Sequence, residues 1–181
     1  MSTLMLSFGT PIIRSGDEFL NTQFGNNNTY CQDNVISYLV WETIGGAEVN
    51  NIRFVKELIR LRRKMSVFNR KNFFYGSYID DKLGIKDIAW YTEKGTEFTQ
   101  ADWGQHSRKM LSYMVAAQDR MYMVIFNANA NNIKWKLPNL KKGYKWTLLL
   151  DSSDKFEAQK IASGAEIWVP AWEVLCFEIK K

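Results

Sequence analysis

The sequence predicts an α+β chain in two parts: a strand–loop–helix unit of the kind that repeats in parallel α/β domains, then an antiparallel β-sandwich. Three observations carry this. A short apolar strand, Pro11-Ile12-Ile13, ends in Gly16-Asp17-Glu18 and runs into a polar, asparagine-rich stretch. From Val49 the apolar residues follow helical spacing. After about residue 70 the pattern becomes short aromatic and β-branched runs between turn signals. A length of 181 residues allows one ordinary domain, or one domain and part of another.

Taken in order, residues 3–8 are a short apolar run, either the last turns of a helix or the lead-in to a strand. Pro11 fixes the start of the Ile12-Ile13 strand and Gly16 ends it. Residues 20–34 are a loop, because Asn21, Asn26, Asn27, Asn28, Asp33 and Asn34 with Gly25 supply turn chemistry without an apolar period. In the helix over 49–65, Ile52, Val55 and Ile59 form one row, with Phe54, Leu58, Leu61 and Met65 beside it. Lys56, Arg60, Arg62, Arg63 and Lys64 gather toward its C-terminal half, where cations suit the helix dipole. They read as a solvated face. Strands are expected over 87–91, 110–116, 121–127, 133–137, 146–150, 165–169 and 174–179. The turn signals between them include Lys94-Gly95, Gln118-Asp119, Asn131-Asn132, Lys142-Gly143 and Ser163-Gly164.

Composition narrows the function classes. A hydrophobic share of 46% and an aromatic share of 14% are enough for a core and exclude wholesale disorder. The net charge of +5 is spread out, and no basic stripe interleaves with aromatics, so nucleic acid is not an expected partner. No run approaches a membrane span and no signal peptide opens the chain, so a soluble, cytoplasmic protein with no membrane partner is expected. Cys31 and Cys176 have no metal-ligand spacing; they are expected to be free thiols, and neither a metal nor another cofactor is expected. The only histidine, His106, is expected on a surface loop beside Trp103. For Trp90, Trp103, Trp135, Trp146, Trp168 and Trp172, core packing is the expectation for most, ahead of a glycan platform. Ile133, Trp135 and Leu137 read as one buried strand face.

Several motifs together resemble a known family. Thr3 through Pro11, Gly16-Asp17-Glu18-Phe19, Thr22-Gln23, the run Gly25-Asn26-Asn27-Asn28-Thr29-Tyr30-Cys31-Gln32-Asp33-Asn34, Ile36-Ser37 and Trp41 resemble the isoamylases and bacterial glycogen debranching enzymes. These belong to the α-amylase superfamily, glycoside hydrolase family thirteen. The resemblance continues more loosely in Leu58-Ile59, Leu61-Arg62, Asp87-Ile88-Ala89-Trp90, Gly95 through Thr99, Asp102-Trp103, Phe126-Asn127-Ala128 and Leu150-Asp151. Phe8 and Arg14-Ser15 depart from the pattern, and a charge at Arg14 must find a partner or face water.

The resemblance implies a (β/α)8 barrel followed by a C-terminal β-sandwich. Residues 10–18 would be the eighth barrel strand, the helix over 49–65 the eighth helix, residues 1–68 the barrel remnant and 69–181 the sandwich. A full barrel takes about 250 residues. The implied chemistry is retaining hydrolysis of α-1,6 branch points in glycogen- or starch-like glucans, which needs two carboxyl groups about 5–5.5 Å apart. Those carboxylates would precede residue 1, so no catalytic residue is expected here and the chain is expected to be the C-terminal part of such an enzyme, from a truncated or split reading frame or an expressed fragment, and inactive alone. Asp17 and Glu18, at the barrel mouth, are expected to be structural. The rim loop would touch a branched α-glucan: Tyr30 stacking on a glucosyl ring, with Asn28, Gln32 and Asp33 bonding hydroxyls. A self-bonded Asx-rich loop is the alternative. A lone barrel strand has open edges, so residues 1–65 are expected to be disordered, docked irregularly, or paired with an N-terminal barrel portion or a second copy. The other function class is a non-catalytic carbohydrate-binding or scaffold module that completes a separately encoded barrel.

Overall fold

A computed structural model describes residues 1–80, 84–117, 120–153, 156 and 160–180. The Gln118-Asp119 turn signal lies outside the described residues. The chain is α+β and mostly sheet, and it divides into two compact units that meet in sequence at Met65 and Ser66.

The first unit holds a short helix α1 (Ser2–Met5), single 3₁₀ turns at Asp17–Phe19 and Trp41–Thr43, and the long helix α2 (Gly46–Lys64). The run over 3–8 thus resolves as a helix end. The strand expected at Ile12-Ile13 is absent: residues 10–14 belong to no sheet and Ile12 is 82% exposed. No neighbouring strand offers a ladder there, so the backbone turns back on itself instead. The Asp17 and Phe19 N–H groups donate to the Arg14 and Gly16 carbonyls, and Asn21 N–H also donates to Gly16. Gly16 has φ 102°, and a Cβ on it would meet Asn21 Cβ at 2.7 Å. Only glycine fits that corner.

Helix α2 follows its expected period, burying Val55, Leu58 and Arg62. Arg62 corrects the reading of a wholly solvated cationic face. Its guanidinium donates to the carbonyls of Met5 at 2.6 Å, Ser7 at 2.8 Å and Gly9 at 2.6 Å. These are carbonyls at and beyond the end of α1, where no helical N–H follows to bond them.

The second unit contains β1 (Tyr78–Asp80), β2 (Ile85–Lys86), β3 (Ile88–Tyr91), α3 (Gln100–Trp103), β4 (Met110–Ala117), β5 (Arg120–Asn127), β6 (Ile133–Lys136), β7 (Lys145–Asp151), β8 (Lys160–Ile161), β9 (Glu166–Val169) and β10 (Glu173–Lys180). Seven of these coincide with the expected strands to within a residue or two. A six-stranded sheet runs β3-β4-β5-β10-β7-β8, β6 pairs with β9, and β1 pairs with β2, all antiparallel. The period of two sends Met123 and Ile125, Leu175, Phe177 and Ile179 to one face of the large sheet, where they meet Trp135, Leu137, Ile167 and Val169. That is the core. The opposite face of β4 and β5 is also buried, at Tyr113, Val115, Tyr122 and Val124.

The tryptophans divide differently from the expectation. Trp135 and Trp146 are core residues and Trp90 is half-buried, but Trp103, Trp168 and Trp172 are exposed. In β9 the inward positions go to Ile167 and Val169, so Trp168 must point out.

Candidate functional site

The asparagine-rich loop is built from side chains that bond its own backbone. Asn26 Oδ1 accepts from Asn28 N–H at 2.9 Å, Asn28 Oδ1 from Tyr30 N–H at 3.1 Å, and Asn34 Oδ1 from Ile36 N–H at 2.9 Å. Each is an Asx turn, the local motif that short polar side chains offer in place of regular structure. Gln32 N–H donates to the Thr29 carbonyl at 2.9 Å, and Ser37 Oγ donates to the Gln32 carbonyl at 2.6 Å.

The four expected contact residues lie on consecutive turns of this loop and differ in what they leave open. The acceptor oxygen of Asn28 is occupied by Tyr30 N–H, and that of Gln32 by Asn34 Nδ2 at 3.2 Å. Asp33 accepts a 2.6 Å bond from the Tyr38 hydroxyl, and this bond to the neutral phenol pushes the Tyr38 pKa up. Tyr30 is 95% exposed and presents its whole ring. The loop therefore offers one aromatic face flanked by carboxamides. That is chemistry for a neutral polyhydroxylated ligand with an apolar ring face.

Asp17 and Glu18 sit on the preceding 3₁₀ turn. Asp17 Oδ2 accepts from Arg14 N–H at 3.0 Å, and Glu18 Oε2 from Gly16 N–H at 2.9 Å. From α2, Asn51 Nδ2 donates to both their backbone carbonyls, at 3.3 and 3.0 Å. The pair serves the turn. Arg14 finds its partner in Gln23 once that carboxamide is turned, since its oxygen then accepts from both terminal guanidinium nitrogens at 2.9 Å. Tyr38, Gln23 and Asn51 were not singled out as site residues from sequence. The signal available for Asn51 was its place near the start of a helix that follows the turn.

Elsewhere, Cys31 is exposed and Cys176 buried, both as free thiols, and burial pushes the Cys176 thiol pKa up. His106 is exposed on the segment after α3. Glu173 is fully buried at the start of β10, accepting from Ser152 N–H at 2.7 Å, Ser152 Oγ at 2.5 Å, Val174 N–H at 3.0 Å and the Ser153 hydroxyl. Four donors on one carboxylate make it a structural anchor. Among the described residues no group of His, Cys, Asp or Glu is arranged to hold a metal ion, and no helix is long and apolar enough to cross a membrane.

Residues 87–170 match the family described as isoamylase, C-terminal. A glycogen operon protein GlgX homolog from Mycobacterium bovis is 32% identical over 166 aligned residues, covering 84% of this chain and 23% of that protein. A glycogen debranching enzyme from Dickeya chrysanthemi is 33% identical over 138 residues, covering 76% and 19% respectively. The chain thus spans about a fifth to a quarter of the length of these relatives. Among solved structures, an isomaltulose synthase mutant from Erwinia rhapontici NX5 in complex with sucrose aligns at TM-score 0.46 and 11% identity, over 72% of this chain and 18% of that one.

Proposed function

From residues 87–170 that belong to the isoamylase C-terminal family, in a chain homologous to glycogen debranching enzymes, we propose that this protein is the C-terminal part of a hydrolase cleaving α-1,6 branch points of glycogen- or starch-like glucans. The observation that carries the reading is the identity of 32–33% to a GlgX homolog and a debranching enzyme, which extends well beyond the matched family region. In the whole enzyme, residues 1–68 take the place of the last strand, rim loop and helix of a (β/α)8 barrel, and residues 69–181 are its C-terminal β-sandwich. Tyr30 stacks on a glucosyl ring, Asn28, Gln32 and Asp33 meet hydroxyls, and Asp17 with Glu18 hold the turn behind them.

The chain alone is inactive in this reading. Retaining hydrolysis needs one carboxylate to attack the anomeric carbon and a carboxylic acid about 5–5.5 Å away to protonate the leaving oxygen. Asp17 and Glu18 are engaged by backbone N–H groups on their own turn, and Glu173 is sealed among hydroxyls and amides. A barrel portion carrying the carboxylates is the partner this implies. An open groove of about 520 Å³ on α2 supports it, lined by the apolar Ile52, Val55 and Ile59 and by the basic Lys56, Arg60 and Arg63. The same groove favours the second reading, a non-catalytic module that completes a separately encoded barrel.

Reducing-end release from branched glucan is the direct test. The chain alone is expected to release none, and activity is expected when the barrel portion is present in one polypeptide or added separately. Release by the chain alone sinks the inactive reading.

A further inference from the structure

Two exposed rings on the second unit are left unexplained by folding. Trp168 is 62% exposed on the outer face of β9, and Trp172 is 68% exposed in the turn between β9 and β10. Among the described residues neither makes a ring–ring or cation–π contact, whereas the exposed Trp103 packs edge-on against Trp90 and Phe98.

Trp172 carries the second observation. Its φ is 56°, in the left-handed region that bulky residues avoid and that glycine or asparagine fills readily. The turn is nevertheless firmly held. Trp172 N–H donates to the Asn129 carbonyl at 3.2 Å, Ala171 N–H to Asn132 Oδ1 at 3.1 Å, and the buried Asn127 donates to the Pro170 carbonyl at 2.7 Å. A strained backbone supporting a large ring aimed at water is the arrangement found at ligand clamps. Neither burial nor conformational preference accounts for tryptophan at this position.

The surroundings select the ligand class. Cross-strand from Trp168 stands Lys134, which pairs with Glu166 at 2.5 Å, and Lys136 lies opposite Glu166 on the same outer face. This face mixes one aromatic ring with exposed charge. A protein interface core is depleted of such charges. A sugar suits it better: its C–H face covers the ring, and its hydroxyls donate to the carboxylate and accept from the ammonium. Trp168 and Trp172 are four residues apart, hence no more than roughly 14 Å between Cα atoms, within reach of one short oligosaccharide.

We propose that Trp168 and Trp172 form an aromatic platform that binds a chain segment of α-glucan, with Lys134 and Glu166 bonding its hydroxyls. The choice of α-glucan rests on the debranching reading; the choice of a sugar rests on the geometry.

Native electrophoresis of the full chain through gels containing glycogen tests this, with carboxymethylcellulose gels as the comparison. Glycogen is expected to retard the wild-type chain. Trp168→Ala and Trp172→Asn should each weaken retention about tenfold, and the double variant should run as in plain gels. Trp103→Ala is expected to be retained as wild type. Melting temperatures report the fold separately, and Trp172→Asn should keep or raise its value because asparagine accepts the positive φ. No retardation of the wild type, or equal retardation of both variants, overturns the platform and leaves the debranching reading standing. Retardation by carboxymethylcellulose as strong as by glycogen, lost in both variants, overturns the α-glucan assignment and with it this use of the debranching reading.

Discussion

Between Gly9 and Gly45 only Gly16 and Phe19 are buried, whereas β4, β5 and β10 bury nearly every residue of their central stretches. The two units therefore hold their shapes by different means. The first relies on Asx turns, on the Asp17 and Glu18 side chains, and on the Arg62 fork. The second relies on interdigitated apolar side chains such as Trp135, Phe177 and Val169. Burying apolar surface contributes about 25 cal/mol per Å², so one large core side chain contributes about 2–3 kcal/mol. An exposed turn hydrogen bond nets about 1 kcal/mol or less. A region built from such bonds opens locally long before a packed sheet does.

The largest expected contrast is in hydrogen exchange. In dilute protein the amides of Val124 and Leu175 should exchange only through global opening, whereas Ile12 and Ile13 should exchange orders of magnitude faster. Slow exchange at Ile12 and Ile13 would break the contrast and point to a partner or a cooperative first unit.

A smaller effect sharpens it. Replacing Arg62 with alanine strips partners from the carbonyls of Met5, Ser7 and Gly9, at a cost of about 2–4 kcal/mol. The loss should appear as faster exchange over residues 2–9 with little change in β5 or β10. Lysine should restore it only in part, since one ammonium lacks the planar fork that reaches three acceptors.

The smallest effect concerns the second unit in alkali. Burial pushes the Tyr91 hydroxyl pKa up to about 12 from its ordinary value near 10. The unfolded chain loses this proton first, so the contribution is intact below about pH 10 and falls away as pH rises toward 12. Tyr91→Phe should flatten that part of a stability–pH curve measured by denaturant titration. An unchanged slope would remove Tyr91 from the account.

Much of the second unit was legible because long strands repeat their period. β4, β5 and β10 each run eight residues, enough for alternation to show. β2, β8 and α3 span two to four residues and carry no readable period, although Thr99 and Asp102 already spelled a capping box. Arg62 was hidden by its chemistry: it continues the buried Val55–Leu58 row at helical spacing, but a guanidinium on that row reads as solvent-facing. The missing strand at Ile12-Ile13 shows the opposite failure, since residue type alone cannot supply a neighbouring strand. The orientation of Trp168 could be read from the parity of Ile167 and Val169. The asparagine-rich loop's turn chemistry was legible in its asparagines; the pairing of Asp33 with Tyr38 was not, because it depends on the path between them. The family match covers residues 87–170, where the motifs are looser, and leaves out the compact cluster near the N-terminus.

Asn127 bears on how this molecule ages. Its Nδ2 group donates toward the carbonyls of Asn131, Val169 and Pro170, and its Oδ1 accepts from the N–H groups of Asn129. Deamidation to aspartate would set a carboxylate oxygen against three carbonyl oxygens in a buried place. Asn26 and Asn28 use their Oδ1 atoms to hold the loop, and aspartate keeps such an acceptor. The same chemical lesion would be tolerated in the loop that is easiest to reach and damaging at the turn that presents Trp172.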